Sequence, residues 1–331
     1  MFIKILIGTL TIVLLSMISC KNTESTDPNV NPPQQIDTSD INISFSKITI
    51  APLQNGSAFG DISFSTNGYG VVSSADDNRL FVTKNNGQTW QQLNWTPAFG
   101  FPIYCIAIKN DGSEIFVGST SGGDSYPGRY VILSTEGDSI IYSGNVNLYN
   151  AGNPNFNFIQ AYYNYEDALW VAMGNNSKDD GNVLVKHSNT YSLWDDIDPL
   201  IGRKNYVSSI VRNKKGENII GMFDYNGFQK GIFIKRFHSS EYEKLTIYTS
   251  TPYQVELPMS LSLSTSELLL AAYSGGPNDS RLYLSTSTLA LWRKVVYSGI
   301  VGNFKSVKFD NQNYIWVCTN SGLYKSVQQV N

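Results

Sequence analysis

Two carboxylates, Asp61 and Glu256, are the residues of this 331-residue chain best placed to do chemistry together. Hydrolysis of a glycosidic bond needs an acid and a base or nucleophile roughly 5–10 Å apart. Asp198, in a polar stretch, is the third carboxylate that could enter such a site. The other reactive side chains are scattered. His187 and His238, the only histidines, follow separate apolar runs, so an imidazole-based metal centre is not expected. Asn175, Asp179 and Asp180 in NNSKDDGN are oxygen ligands of the kind Ca²⁺ takes. Their order does not fit an EF-hand loop, and a solvated polar loop is the expected state. No Gly-rich loop follows a strand and opens a helix, which leaves nucleotide binding without support. Cys105 in YCIAIK and Cys318 in IWVCTN lie inside apolar runs, where two buried thiols are expected rather than a disulfide. Neither a cofactor nor a metal is expected.

The elements that must position these groups are strands. From Ile41 onward, short runs rich in Val, Ile, Tyr, Phe and Ser alternate with Gly, Asn and Asp, an all-β pattern with almost no helical period. One run recurs: GVVSSA at 70–75, IFVGST at 115–120, LWVAMG at 169–174, IIGMFD at 219–224, LLAAYSG at 269–275 and IWVCTN at 315–320. The period is roughly fifty residues, the length of a four-stranded propeller blade. Each copy is preceded by another strand (DISFS, CIAIK, IQAYYN, SSIVRN, LSLS, SVKFD). The expected units are 57–93, 101–144, 155–197, 204–245, 251–299 and 301–327. The last lacks a fourth strand, while NISFSKITIA at 42–51 is a strand without a unit. Pairing the two would close a ring and cover exposed edges. The reading is an all-β, six-bladed β-propeller over 41–331 closed by an N-terminal strand, with five or seven blades left open.

TKNNGQTW, Thr83 to Trp90, resembles the Asp-box repeat of sialidase-like propellers, with Asn85 where that family usually has Asp. The Asx side chain is expected to bond its own turn, Gly87 to take a positive φ, and Trp90 to pack on the neighbouring blade. Trp194 and Trp292 keep the same offset. YIWVCTNSGLYKS, 314–326, is similar to the propeller repeats of two-component regulator sensors, with Cys318 where Gly is usual. The sialidase resemblance implies three arginines on a substrate carboxylate. Here Arg79, Arg129 and Arg281 begin third strands and Arg212 ends a first strand, so that triad is not expected to assemble.

Loop lengths then say where binding would sit. Links between first and second strands are tight, as in TNG and NYED, whereas STSGGDSYPG, NNSKDDGN, DYNGFQKG and YSGGPNDS join second to third strands. NWTPAFGFP, GNVNLYNAGNPN, IDPLIGRKN and TIYTSTPYQVE join blades. Both long classes emerge on one face of a propeller, and loops on a rigid scaffold are where recognition usually resides. The ligand-binding candidates are Trp95, Phe99, Tyr126, Tyr149, Tyr225, Tyr253 and Tyr273, aromatic platforms beside amides and carboxylates that suit a glycan or an extended peptide. A non-catalytic binding module is the favoured reading. A glycoside hydrolase or lyase using Asp61 and Glu256, and an assembly or scaffold factor, are the alternatives.

The N-terminus sets the location. Residues 1–19 carry Lys4 and then an apolar run from Ile5 to Leu15, the layout of a secretory signal. Met-Ile-Ser-Cys resembles a bacterial lipobox, which implies that Cys20 becomes the acylated first residue of a lipoprotein, palmitate being one such chain. Residues 20–40 are polar and Pro-rich, the composition of a disordered tether. With 24 Lys and Arg against 27 Asp and Glu and no basic cluster, nucleic acid is not an expected partner. The expected partners are the membrane, through the anchor, and a glycan or envelope protein at the outer membrane. Fractionating cells that express Cys20→Ala tests the anchor: the variant is expected in the soluble fraction, and its retention on membranes would disprove acylation.

Overall fold

The computed structural model describes residues 39–95, 103–119, 128–136, 139–146, 157–174, 181–186, 195–196, 205–224, 230–239, 242–245, 258–274, 279–286, 289 and 291–331. One compact unit spans Thr38–Asn331. Four antiparallel four-stranded sheets follow one another along the chain, over 59–92, 103–146, 157–196 and 205–244. An eight-stranded sheet holds the rest, built from strands over 260–298, the three strands over 304–326, and the strand Ile41–Ile48. Numbered as blades 1 to 6, these units agree with the sequence repeat to within a few residues except for the later start of blade 5.

The inner strands are Phe59–Phe64, Ile103–Ile108, Asn157–Tyr163, Asn205–Arg212, Ser260–Leu263 and Phe304–Phe309. Each touches the inner strand of the next blade, and the sixth touches the first, so the ring is closed. The core is divided accordingly into six apolar clusters, one per seam. Val71, Ile106 and Val131 belong to the seam of blades 1 and 2, and Phe116, Phe158 and Val171 to that of blades 2 and 3. Trp170, Ile210 and Phe233 fill the seam of blades 3 and 4, and Ile232, Tyr273 and Trp292 that of blades 4 and 5. Leu282, Val307 and Phe309 lie between blades 5 and 6, and Ile62, Trp316 and Cys318 between blades 6 and 1. The inner part of a blade is therefore buried on both faces, which explains strands such as LFVT and IWVCT with no exposed residue.

Ile41–Ile48 closes the ring as the fourth strand of blade 6, but it does so with only half its length. Phe45–Ile48 pairs antiparallel with Leu323–Ser326, while Ile41–Ser44 pairs parallel with Val295–Ser298 of blade 5. Two sheet edges are covered by one strand. Ile43 and Phe45 anchor it in the core of that seam.

The TKNNGQTW turn has the expected mechanics. Asn85 Oδ1 accepts from the Thr89 amide and from Thr83 Oγ1, both at 2.9 Å, and the Gly87 amide donates to Thr83 Oγ1 at 2.9 Å. Gly87 has φ +77°. Trp90 stands edge-on to Trp316 of blade 6 at 5.9 Å, with Phe64 5.0 Å from the same ring. Trp292 does the equivalent work for blade 5, buried against blade 4. A Cβ on Gly87 would overlap the Trp316 ring. Gly87→Ala is therefore expected to lower stability in guanidinium unfolding by about 2–4 kcal/mol, backbone strain and overpacking combined.

Candidate functional site

An inner strand bonds its second strand along one edge only, and its other edge faces the central channel. The amides on that buried edge need acceptors. In five blades the register slips by a bulge early in the inner strand, after Phe59, Ile103, Phe158, Val207 and Phe304. Beyond it, polar side chains of one blade take the free amides of the next. Asp61 Oδ2 accepts from Ile106 at 3.0 Å and Ser63 Oγ from Ile108 at 3.2 Å. Gln160 Oε1 accepts from Ile210 at 3.1 Å, Ser260 Oγ from Val307 at 3.3 Å and Ser262 Oγ from Phe309 at 3.0 Å. Gln160 Nε2 reaches the Leu261 carbonyl of blade 5 at 2.9 Å, and Lys308 Nζ contacts the same oxygen at 3.5 Å. These side chains plug the channel.

Asp61, one half of the carboxylate pair on which the alternative hydrolase reading rests, belongs to this plug. Its Oδ1 accepts from the Ile62 amide at 2.9 Å and from Ser306 Oγ at 2.5 Å. Burial lifts its carboxyl above the ordinary value, while Lys308, Ser306 and the two amides pull the other way. Burial lowers the Lys308 ammonium, opposed by Asp61. Cys105 and Cys318 are free, buried thiols beside this pair, pushed well up by burial and then by Asp61. Asp61 is thus a structural acceptor, and Glu256 and Asp198 lie outside the described residues.

Above the plug, on the face of the tight turns, the channel opens into a cavity of about 280 Å³. Ser63, Ile108, Leu261 and Lys308 lie towards the plug, and Asn110, Tyr162, Tyr165, Arg212, Lys214 and Asn311 line its walls. The rim follows one rule. Each turn has a residue with positive φ at the same place: Gly68, Gly112, Asp167, Gly216, Glu267 and Asn313. The three that are not glycine use their side chains to hold the preceding blade. Asp167 accepts from the Asn110 amide at 3.2 Å, Glu267 from Lys214 at 3.0 Å and Asn313 from Thr265 at 2.9 Å. Where blades 1 and 2 carry glycine, other bonds substitute: Asn311 to the Thr66 carbonyl at 3.0 Å, and Asn67 to the Asp111 carbonyl at 2.8 Å.

The seam of blades 3 and 4 differs. Its glycine, Gly216, has no such substitute among the described residues. Instead the Arg212 guanidinium sits 5.2 Å over the Trp170 ring, and Tyr162 packs 6.4 Å from it. Tyr162 Oη lies close to the Arg212 backbone without closing a hydrogen bond, and burial keeps it protonated far above its usual range.

Of the aromatic candidates, Trp95 is half-buried against the seam of blades 1 and 2. Tyr273 requires a correction: it is 3% exposed and its ring meets Tyr283 at 5.4 Å in the seam of blades 4 and 5. It ends the strand Leu269–Ser274 in phase with Leu269 and Ala271, so its side chain packs inward rather than standing on a rim. Phe99, Tyr126, Tyr149, Tyr225, Tyr253 and Cys20 lie outside the described residues, as do His187, Asn175, Asp179 and Asp180. The His238 ring lies 4.0 Å from that of Phe237, tilted 53° to it. Among the described residues no three His, Cys, Asp or Glu cluster as metal ligands. Arg79 and Arg281 pair with Asp77 and Asp279 at the starts of third strands, apart from Arg212. The tight-turn cavity is the site sequence reasoning missed. The signal was the Ser alternation in SLSLS and the lysine in SVKFD, polar residues on strands otherwise built for burial.

No family model matches the chain. No curated protein matches its sequence. Solved structures do, and they show that the fold is that of a β-propeller. YCF48 bound to D1 peptide is similar at 12% identity and TM-score 0.52, over 86% of this chain and 97% of that one. Virginiamycin B lyase from Staphylococcus aureus gives 13% and 0.54, over 86% and 99%. The extracellular domain of a hybrid two-component system from B. thetaiotaomicron gives 14% and 0.53, over 87% of this chain and 40% of that one. At these identities the likeness speaks for the fold alone.

The channel plug yields a double-mutant cycle. Removing one member of a buried pair of opposite charges is expected to cost about 3–5 kcal/mol, whereas Asp61→Asn with Lys308→Met should cost much less than the two singles summed. Because the folded Asp61 pKa is raised, its share of stability is complete below the unfolded value and is lost as pH rises through the folded one. The Lys308→Met deficit should accordingly shrink in acid, which urea unfolding at two pH values checks.

Proposed function

We propose that this chain is a non-catalytic binding propeller of the bacterial envelope, tethered through an acylated Cys20, which takes a protein or peptide partner on the face opposite the tight turns. Antiparallel alternation carries the reading: the strands that flank all the long second-to-third and inter-blade links end on that face. Five of the six seams of the tight-turn face are bridged by hydrogen bonds that hold the ring, which leaves the other face freer to vary. A propeller of the same fold with a peptide bound favours a peptide over a glycan as partner. The commitment of Asp61 to three donors and to Lys308 weighs against a hydrolase.

The test uses the full, membrane-anchored chain with Tyr126, Tyr149, Tyr225 and Tyr253 changed together to Ala. Cross-linking in intact cells is expected to capture a stoichiometric protein with the wild type and to lose it in the variant at unchanged melting temperature. Equal capture would refute the reading. Retention on envelope polysaccharide instead, lost in the same variant, would make the ligand a glycan. Turnover of labelled glycosides abolished by Asp61→Asn would make the chain an enzyme.

A further inference from the structure

We propose that the seam of blades 3 and 4, where it meets the tight-turn cavity, binds a small oxyanion-bearing ligand received by Arg212 and Tyr162. The site is on the opposite face from the partner surface above and does not depend on it.

Three buried donors of this seam have no protein acceptor, Tyr162 Oη, Trp170 Nε1 and Arg212 Nε, and of these residues Tyr162 and Arg212 line the cavity. A single orphaned donor of this kind costs about 1–3 kcal/mol, and this seam holds three of them on residues in mutual ring and cation contact. The cause lies in the rim. Every other seam of the tight-turn face is bridged by a hydrogen bond between neighbouring turns, and at this one the bridging position is Gly216. What the seam has in excess is N–H and O–H, and what it lacks is oxygen.

The charges point the same way. The carboxylates of the cavity are already engaged. Glu267 accepts from the Lys214 amide, and Asp310 Oδ1 accepts from Gln312 and Tyr314 at 2.9 Å. Asp310 Oδ2 accepts from Trp316 Nε1 at 2.9 Å and faces Lys325 at 3.4 Å. Asp61 is bound within the plug. The cations are less committed. Among the described residues Arg212 has the face of Trp170, and Lys308 has one contact at 3.5 Å besides its attraction to Asp61. Guanidinium groups are weakly hydrated and present paired donors that match carboxylate or phosphate oxygens. A cavity of about 280 Å³ is at the lower end of ligand pockets, and it has tyrosines along one wall. The ligand class is a compact carboxylate or phosphate ester carrying an apolar or planar body.

The experiment is fluorine NMR of a ring-fluorinated benzoate with the folded protein, the matching fluorinated benzyl alcohol as neutral control, and inorganic phosphate as competitor. Saturable line broadening is expected for the benzoate and not for the alcohol. Displacement by phosphate shows that an oxyanion suffices. Binding without displacement shows that the carboxylate needs its ring, and either supports the site. Arg212→Gln is expected to weaken the benzoate about tenfold or more, and Tyr162→Phe, which keeps the stacked ring, about threefold to tenfold. Melting temperatures establish that both variants are folded, and Tyr162→Phe decides the matter alone if Arg212→Gln is not. The proposal fails if the alcohol binds as well as the benzoate, if no broadening occurs at millimolar ligand, or if the folded variants bind like the wild type.

Discussion

The constraint on which this structure depends is that each blade is apolar on both faces. A four-stranded sheet with two buried faces cannot be stable alone, and a row of such sheets leaves two faces in water. Only a closed ring buries them all, and closure rests on Ile41–Ile48, bonded half to blade 6 and half to blade 5. Ile43 and Phe45, at 2% and 6% exposure, bring about 1.5–3 kcal/mol each to that joint. Gly299, at φ +85°, lets the Phe45 carbonyl approach the chain leaving blade 5. The strand that begins the fold thus determines whether the other twenty-three among the described residues can keep their faces dry.

A closed ring raises a second difficulty, because its inner strands gather unpaired amides around a narrow, low-dielectric channel. Bulges turn these amides towards the neighbouring blade, and Asp61, Ser63, Gln160, Ser260 and Ser262 answer them. A charged acceptor among them requires a counter-charge, which Lys308 provides. The result is a plug rather than a pore, and it separates two mouths with different duties. One mouth is rimmed by short turns under backbone strain. The other is where the long links depart.

Much of this was legible in the sequence, and the misses share a cause. Second strands are buried on both faces, so GVVSSA and IWVCTN could be aligned without knowing their neighbours, and the blade limits followed. The TKNNGQTW turn is local chemistry, readable from Asn85, Gly87 and their spacing. The structural role of Asp61 was not legible because its duty is owed to Ile106 and Ser306, residues of two other blades, and no local pattern announces a non-local acceptor. Tyr273 was taken for a rim residue because YSGGPNDS opens a loop, although a period of two from Leu269 sends its ring inward. The polar positions of SLSLS alternate with leucines as they would on any half-exposed strand. They face a channel, where a serine serves as a hydrogen-bond acceptor.

The rim shows why one seam could be released from structural duty. A non-glycine residue at positive φ costs of order 1–3 kcal/mol, and Asp167, Glu267 and Asn313 bear it because their side chains cap the adjacent turn. Gly216 avoids that strain and forgoes the cap. The seam holds nonetheless, because Trp170, Ala172, Val207, Ile210 and Phe233 supply its cohesion through apolar contact. Cohesion and polar satisfaction are therefore separable at a blade interface. Where the first suffices alone, the polar groups left over are free to meet something that is not part of the chain.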